Sequence, residues 1–150
     1  MTIFIDADAC PVKAEVERVG TRHQMQMYVV SNGGIRPSQN PLVQTVVVDA
    51  SADAADKWIA DTCHAQDIVI TNDIPLAAAV IEKGAVVVKP NGDMISDKNI
   101  GSILATRNLM ADLRSADPFL KGGGRAFSKS DRSRFLDTLE RAVNLCRIRS

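Results

Sequence analysis

A three-layer α/β domain, with a central, mostly parallel sheet flanked by helices, is the fold that the sequence predicts. Two observations carry this expectation. Short apolar runs alternate with stretches of helical period as far as residue 90, which is the pattern of successive βαβ units. The runs are also nearly continuous in Val and Ile, as strands covered on both faces must be.

The first run, Ile3-Phe4-Ile5, leads straight into Asp6-Ala7-Asp8. Pro11 then suits the first turn of a helix, where a missing N–H costs nothing. The helix is expected from Pro11 to about Arg22, with Val12, Val16 and Val19 on one stripe. A second strand follows at 26–30. The stretch 31–41 contains Asn32-Gly33-Gly34, Pro37 and Pro41 and reads as a loop beside the site. A third strand at 43–48 ends at Asp49. The helix expected from Ala50 to Ala65 has Ser51 or Asp53 as its cap, Ala55, Ile59 and Cys63 inward, and Trp58 beside them. A fourth strand at 68–71 runs into Asn72-Asp73, and Ile74-Pro75 opens an apolar helix that Gly84 stops. The fifth strand is 85–88.

Residues 98–150 differ. They predict two helices, Asn99 to about Ser115 and Asp131 to about Cys146, separated by Lys121-Gly122-Gly123-Gly124-Arg125. Ser128 or Ser130 is the expected cap of the last helix, and Phe127 and Phe135 are expected in the core. Neither part is large enough for a core of its own, so 1–150 reads as one domain with a helical C-terminal part.

Composition narrows the function classes. No window approaches the apolar length of a membrane span, and no basic-then-apolar leader opens the chain. Cys10, Cys63 and Cys146 are sparse and odd in number, which argues for a reducing, cytoplasmic setting and against a disulfide framework. His23 and His64 stand alone, without zinc-site spacing. The net charge of zero hides a division. Residues 1–97 carry 7 Lys+Arg and 13 Asp+Glu, whereas 98–150 carry 11 and 5. An acidic part suited to cations and a basic part suited to phosphates share one small domain.

The acids recur at equivalent places. Asp6, Asp8, Asp49 and Asp73 follow strands, and Asp53 and Asp56 open a helix. Period 2 points Asp6 and Asp8 the same way. A lone Asp before a helix is ordinarily a cap. Carboxylates gathered at one sheet edge, however, repel unless protonated or neutralised, and hard cations such as Mg²⁺ or Mn²⁺ take such oxygens. The expected site is therefore a metal centre for phosphodiester hydrolysis, with Thr71 and Asn72 in supporting hydrogen bonds. Lys13, Lys121, Gly123, Arg125 and Arg132 are expected to contact phosphates, with Arg107, Arg114, Lys129 and Arg134 adding to the basic surface.

Three segments carry a resemblance. Phe4-Ile-Asp-Ala-Asp-Ala-Cys-Pro-Val-Lys13, Asp67-Ile-Val-Ile-Thr-Asn-Asp-Ile-Pro-Leu-Ala77 and Gly122-Gly-Gly-Arg125 resemble the YaiI/YqxD family of small bacterial proteins, over essentially the whole chain. That family is regarded as PIN-like, which implies a single Rossmannoid PIN-like domain. PIN-type nucleases place an Asp after the first strand, acids at a central helix and an Asp in a Thr-x-Asp turn. The resemblance thus implies Asp6, Asp56 and Asp73 as metal-binding and catalytic residues, with Asp8 and Asp53 added and Asp97 as the candidate fourth acid. It implies Mg²⁺ or Mn²⁺ as cofactor and RNA as substrate, and leaves the oligomeric state open.

Two other readings compete. Asp6-x-Asp8 resembles the nucleophile and acid/base pair of haloacid-dehalogenase-like phosphatases, although Pro11 follows where a Gly-containing flap would lie. A non-catalytic RNA-binding or regulatory module with a relict metal site would use the basic residues alone. Low aromatic content offers it no evident stacking platform.

Overall fold

The computed structural model describes residues 1–7, 10–33, 36–49, 51, 53–116 and 128–149, the side chains of 110–116 and 149 excepted. Elements run in the order β1 (Thr2–Asp6), α1 (Lys13–Arg22), β2 (Gln26–Ser31), β3 (Val43–Val47), α2 (Ala54–Thr62), β4 (Ile68–Ile70), α3 (Ile74–Glu82), β5 (Val86–Val88), β6 (Met94–Ile95), α4 (Ile100–Ala116) and α5 (Lys129–Arg149). The six strands lie in the order β3-β2-β1-β4-β5-β6. All neighbours are parallel except β5 and β6. The expected α/β architecture is therefore the one observed.

The sheet sorts its side chains by period 2. Ile3, Ile5, Met27, Ile68, Ile70 and Val86 face one way, into a core completed by Val12, Val16 and Val19 of α1 and by Phe135, Leu139, Ala142, Val143 and Cys146 of α5. Phe4, Val30, Val69 and Val87 face the other way, against Ala55 and Ile59 of α2 and Leu76, Ala77 and Val80 of α3. Trp58 lies on this second face, its ring 5.9 Å from that of Phe4 and 5.7 Å from that of Tyr28. Gly20 has a packing reason: a Cβ there would lie 2.3 Å from the Met27 sulfur.

Several local expectations are corrected. Pro11 lies in a turn, and α1 begins only at Lys13, with Val12 at the N-cap and no side-chain cap. α2 spans Ala54–Thr62 instead of 50–65. β6 was not expected, because two residues carry no period; the turn at Lys89–Gly92 folds them back as an antiparallel edge. The cap of α5 is Ser128 and not Ser130. Its Oγ accepts from Asp131 N at 3.2 Å while Ser128 N donates to Asp131 Oδ2 at 3.1 Å, a reciprocal capping box. Phe135 is in the core as expected; Phe127 and the Gly122–Gly124 run lie outside the described residues.

Candidate active site at the β1/β4 strand ends

Strand order reverses between β1 and β4: the chain proceeds outward from β1 to β2 and β3 on one side, then restarts at β4 on the other. Open α/β sheets bind ligands at this switch point, outside the carboxyl ends of the strands. Asp6 ends β1, and Thr71 directly follows β4. Residues 4, 6, 69 and 71 alternate onto the α2/α3 face, so these two side chains meet. The Thr71 hydroxyl, buried at 2% exposure, donates to Asp6 Oδ2 at 2.9 Å. The same oxygen accepts from Asp73 N at 3.0 Å. Thr71 thus fixes a carboxylate on one strand and the turn after the next.

Asp73 is the N-cap of α3. Its Oδ1 accepts from Leu76 N at 2.8 Å, and a Pro stands in the first turn. This half of the residue is a cap, as the simplest account of an Asp before a helix holds. Its charge also acts across the site. Asp56, in the first turn of α2, has its carboxyl pushed up to about 7, first by burial, then by a hydrogen bond with Asp73 and by the charges of Asp73, Asp6 and Asp53. A hydrogen bond between two carboxyls needs a proton in it. The shared proton relieves the repulsion between the two charges.

The expected set is thus divided. Asp6, Asp56 and Asp73 act on one another. Asp8 lies outside the described residues. Asp53 is the N-cap position of α2 but makes no side-chain cap bond; it is exposed and reaches Lys57 at 3.6 Å. Asn72 is exposed. Asp49 follows β3, which β2 separates from β1, roughly 10 Å across the sheet. Asp97 follows β6, whose antiparallel course leads away from this edge. Among the described residues, no three His, Cys, Asp or Glu side chains form a ready-made metal cluster.

The basic residues are partly engaged. Arg132 is 2.7 Å from Glu15 and reaches the Pro11 carbonyl; Arg134 meets Asp93 at 2.5 Å. Lys13 stands at the start of α1, its Nζ 3.5 Å from the Ala7 carbonyl. Lys121, Gly123 and Arg125 lie outside the described residues. Among the described residues no helix is long and apolar enough to cross a membrane.

The family model described as "Uncharacterized BCR, YaiI/YqxD family" matches residues 4–145. The chain belongs to the YaiI/YqxD family. Its relatives include a UPF0178 protein of Roseobacter denitrificans, 64% identical over 141 residues that make up 94% of this chain and 93% of the relative. A UPF0178 protein of Parvibaculum lavamentivorans is 52% identical across 98% of this chain and 96% of its own. One of Caulobacter vibrioides is 49% identical across 95% and 92%. No solved structure matches. The match fixes extent and membership.

One region escaped sequence reasoning. Lys13, Arg36, Ser38 and Thr45 line a pocket of about 220 Å³ on the α1 side of the sheet. The loop at 31–41 was legible only as a loop. The alignment of Ile5, Val29 and Thr45 across three strands depends on register that no single segment encodes.

Proposed function

We propose that this protein is a metal-dependent, PIN-like nuclease that hydrolyses phosphodiester bonds in RNA. The observation that carries this reading is the Asp56–Asp73 carboxyl pair beside Asp6 at the topological switch point. Partly buried acids that press on one another are costly, and the cost makes sense where a Mg²⁺ or Mn²⁺ ion replaces the shared proton. Asp6, Asp56 and Asp73 would hold the ion, with Asp8, two positions after Asp6 in the sequence, as a further ligand. The donor set fits: all are hard carboxylate oxygens, with no soft sulfur or imidazole among them. When bound, such an ion polarises a phosphate and lowers the pKa of a water.

The chain's own groups have separate tasks in this scheme. Thr71 holds Asp6 in orientation through its hydroxyl. Asp73 keeps one oxygen on the α3 cap and turns its charge toward Asp56. The basic C-terminal part would contact phosphates flanking the cleaved bond.

The test is cleavage of labelled single-stranded and structured RNA by highly purified protein with Mn²⁺, and with EDTA as control. Metal-dependent cutting that is lost in Asp73→Asn supports the reading. If the wild type cuts nothing, or Asp73→Asn cuts equally well, the nuclease assignment fails and an RNA-binding module without turnover becomes the better account.

A further inference from the structure

We propose that the pocket on the α1 side of the sheet binds a nucleoside monophosphate. Its floor is the row Ile5, Val29 and Thr45, which the parallel register sets side by side across β1, β2 and β3. Its walls come from α1 and from the β2–β3 connection. The cavity measures about 220 Å³, far more than a bare phosphate needs.

The polar groups are arranged for an anion with an organic body. Lys13 and Arg36 both line the cavity. No carboxylate among the described residues pairs with Arg36, so its fork is open to a planar or tetrahedral anion. Glu17 is the one acid in the wall among the described residues. One of its oxygens accepts from Ser38 Oγ at 2.7 Å, which holds it in place. Two cations thus face one carboxylate. The Thr45 hydroxyl makes no hydrogen bond within the described residues. The Thr45 hydroxyl can donate to, and the second Glu17 oxygen accept from, the edge of a base lying on the apolar floor. Apolar surface with a few convergent polar groups is the usual make-up of a small-ligand site.

Lys13 also sets the direction of the ligand. Its ammonium lies 3.5 Å from the carbonyl of Ala7, the residue after Asp6. The phosphate end of the pocket therefore points to the edge that carries the acids. A free nucleotide and the phosphorylated end of an RNA strand present the same chemistry here. The strand end as the natural source rests on the nuclease reading; the pocket's preference for a nucleoside monophosphate does not.

The experiment is calorimetric titration in EDTA of the wild type, Arg36→Glu, Thr45→Trp and Asp73→Asn. The probes are adenosine and uridine monophosphate, adenosine, inorganic phosphate, and short RNAs with either a 5′-phosphate or a 5′-hydroxyl. Both nucleotides should bind more tightly than adenosine or phosphate alone. Arg36→Glu should weaken them by about tenfold or more, through loss of a charge-assisted bond. Thr45→Trp, which fills the floor, should weaken them too, and Asp73→Asn should bind as the wild type does. Phosphate binding as tightly as nucleotide would reduce the pocket to a cation patch and overturn the proposal, as would unchanged affinity in both pocket variants. A 5′-phosphate preference that free nucleotide competes away identifies the strand end as ligand; equal binding of the two RNAs assigns the pocket to free nucleotide. Cleavage is measured separately, so a nuclease that ignores nucleotides and a nucleotide binder that cuts nothing are told apart.

Discussion

The junctions β1→α1 and β4→α3 are nearly the same sequence device: an apolar strand, an Asp-bearing turn, and a Pro shortly after. In the folded chain they do different things. After β4 the helix begins at once. Asp73 caps it, and its carboxylate is tied to Leu76 N at 2.8 Å. After β1 the helix waits until Lys13, its N-cap is Val12, and no side chain caps it. Asp6 stands six residues before that N-cap. It accepts from a hydroxyl of the other junction, Thr71. The difference teaches how to separate structure from function in an acid-rich edge. An Asp that satisfies backbone N–H groups explains itself. A partly buried Asp that a side-chain hydroxyl holds, and that sits among like charges, is the better candidate for a ligand.

That contrast can be broken most sharply by paired substitutions. Asn keeps the shape of Asp and is itself a good N-cap, but it lacks the charge a cation needs. Asp6→Asn and Asp73→Asn should both reduce Mn²⁺-dependent RNA cleavage by more than the roughly 10–100-fold that losing a supporting partner costs. Both proteins should keep their circular dichroism and RNA affinity. Retained turnover in Asp6→Asn would mean that the uncapped acid is no ligand.

The second expectation concerns metal removal. Mn²⁺ at 100 times its dissociation constant should stabilise the wild type by about 2.7 kcal/mol if it binds only the native state. Thermal melts with Mn²⁺ and with EDTA read this directly. The increment should shrink in Asp6→Asn; an equal increment would place the ion elsewhere.

A smaller effect separates the two tasks of Asp73. Asp73→Ala should lose about 1 kcal/mol more than Asp73→Asn in urea melts without metal, because only Ala abandons the cap. Asp6→Ala should show no such excess over Asp6→Asn. If it does, the two junctions are more alike than their geometry indicates.

The smallest expected effect is on pH. Asp56 in the folded chain titrates at about 7, above its ordinary 3.8. The native state thus holds a proton that the unfolded chain has released. This contribution to stability is fully present below about pH 4 and is lost as pH rises through 7. Metal-free stability should decline across that window, and Asp56→Asn should flatten the decline. A wild-type profile in EDTA that is flat from pH 4 to 7 would show that Asp56 is not so pressed.

Much of this was legible in the residues. The apolar runs of β1, β4 and β5 are strands buried on both faces, and the helical stripes Val12/Val16/Val19 and Phe135/Leu139/Val143 are packed where period 3.6 puts them. Asp73 as a cap follows from Asp before Ile-Pro, since the first turn offers free N–H groups and tolerates Pro. The acids Asp6, Asp56 and Asp73 were readable as a set because each stands where a strand or helix ends. What the chain could not display is which of these ends are neighbours. Strand order decided that Asp49 stands apart and that β6 carries Asp97 away, because a strand's partner depends on crossovers and not on its own residues. Tertiary packing also decided that Thr71 would reach Asp6 across 65 positions, and that Asp56 would press on Asp73. A carboxyl's pKa depends on burial and on nearby charge, and both are properties of the folded neighbourhood, not of the residue.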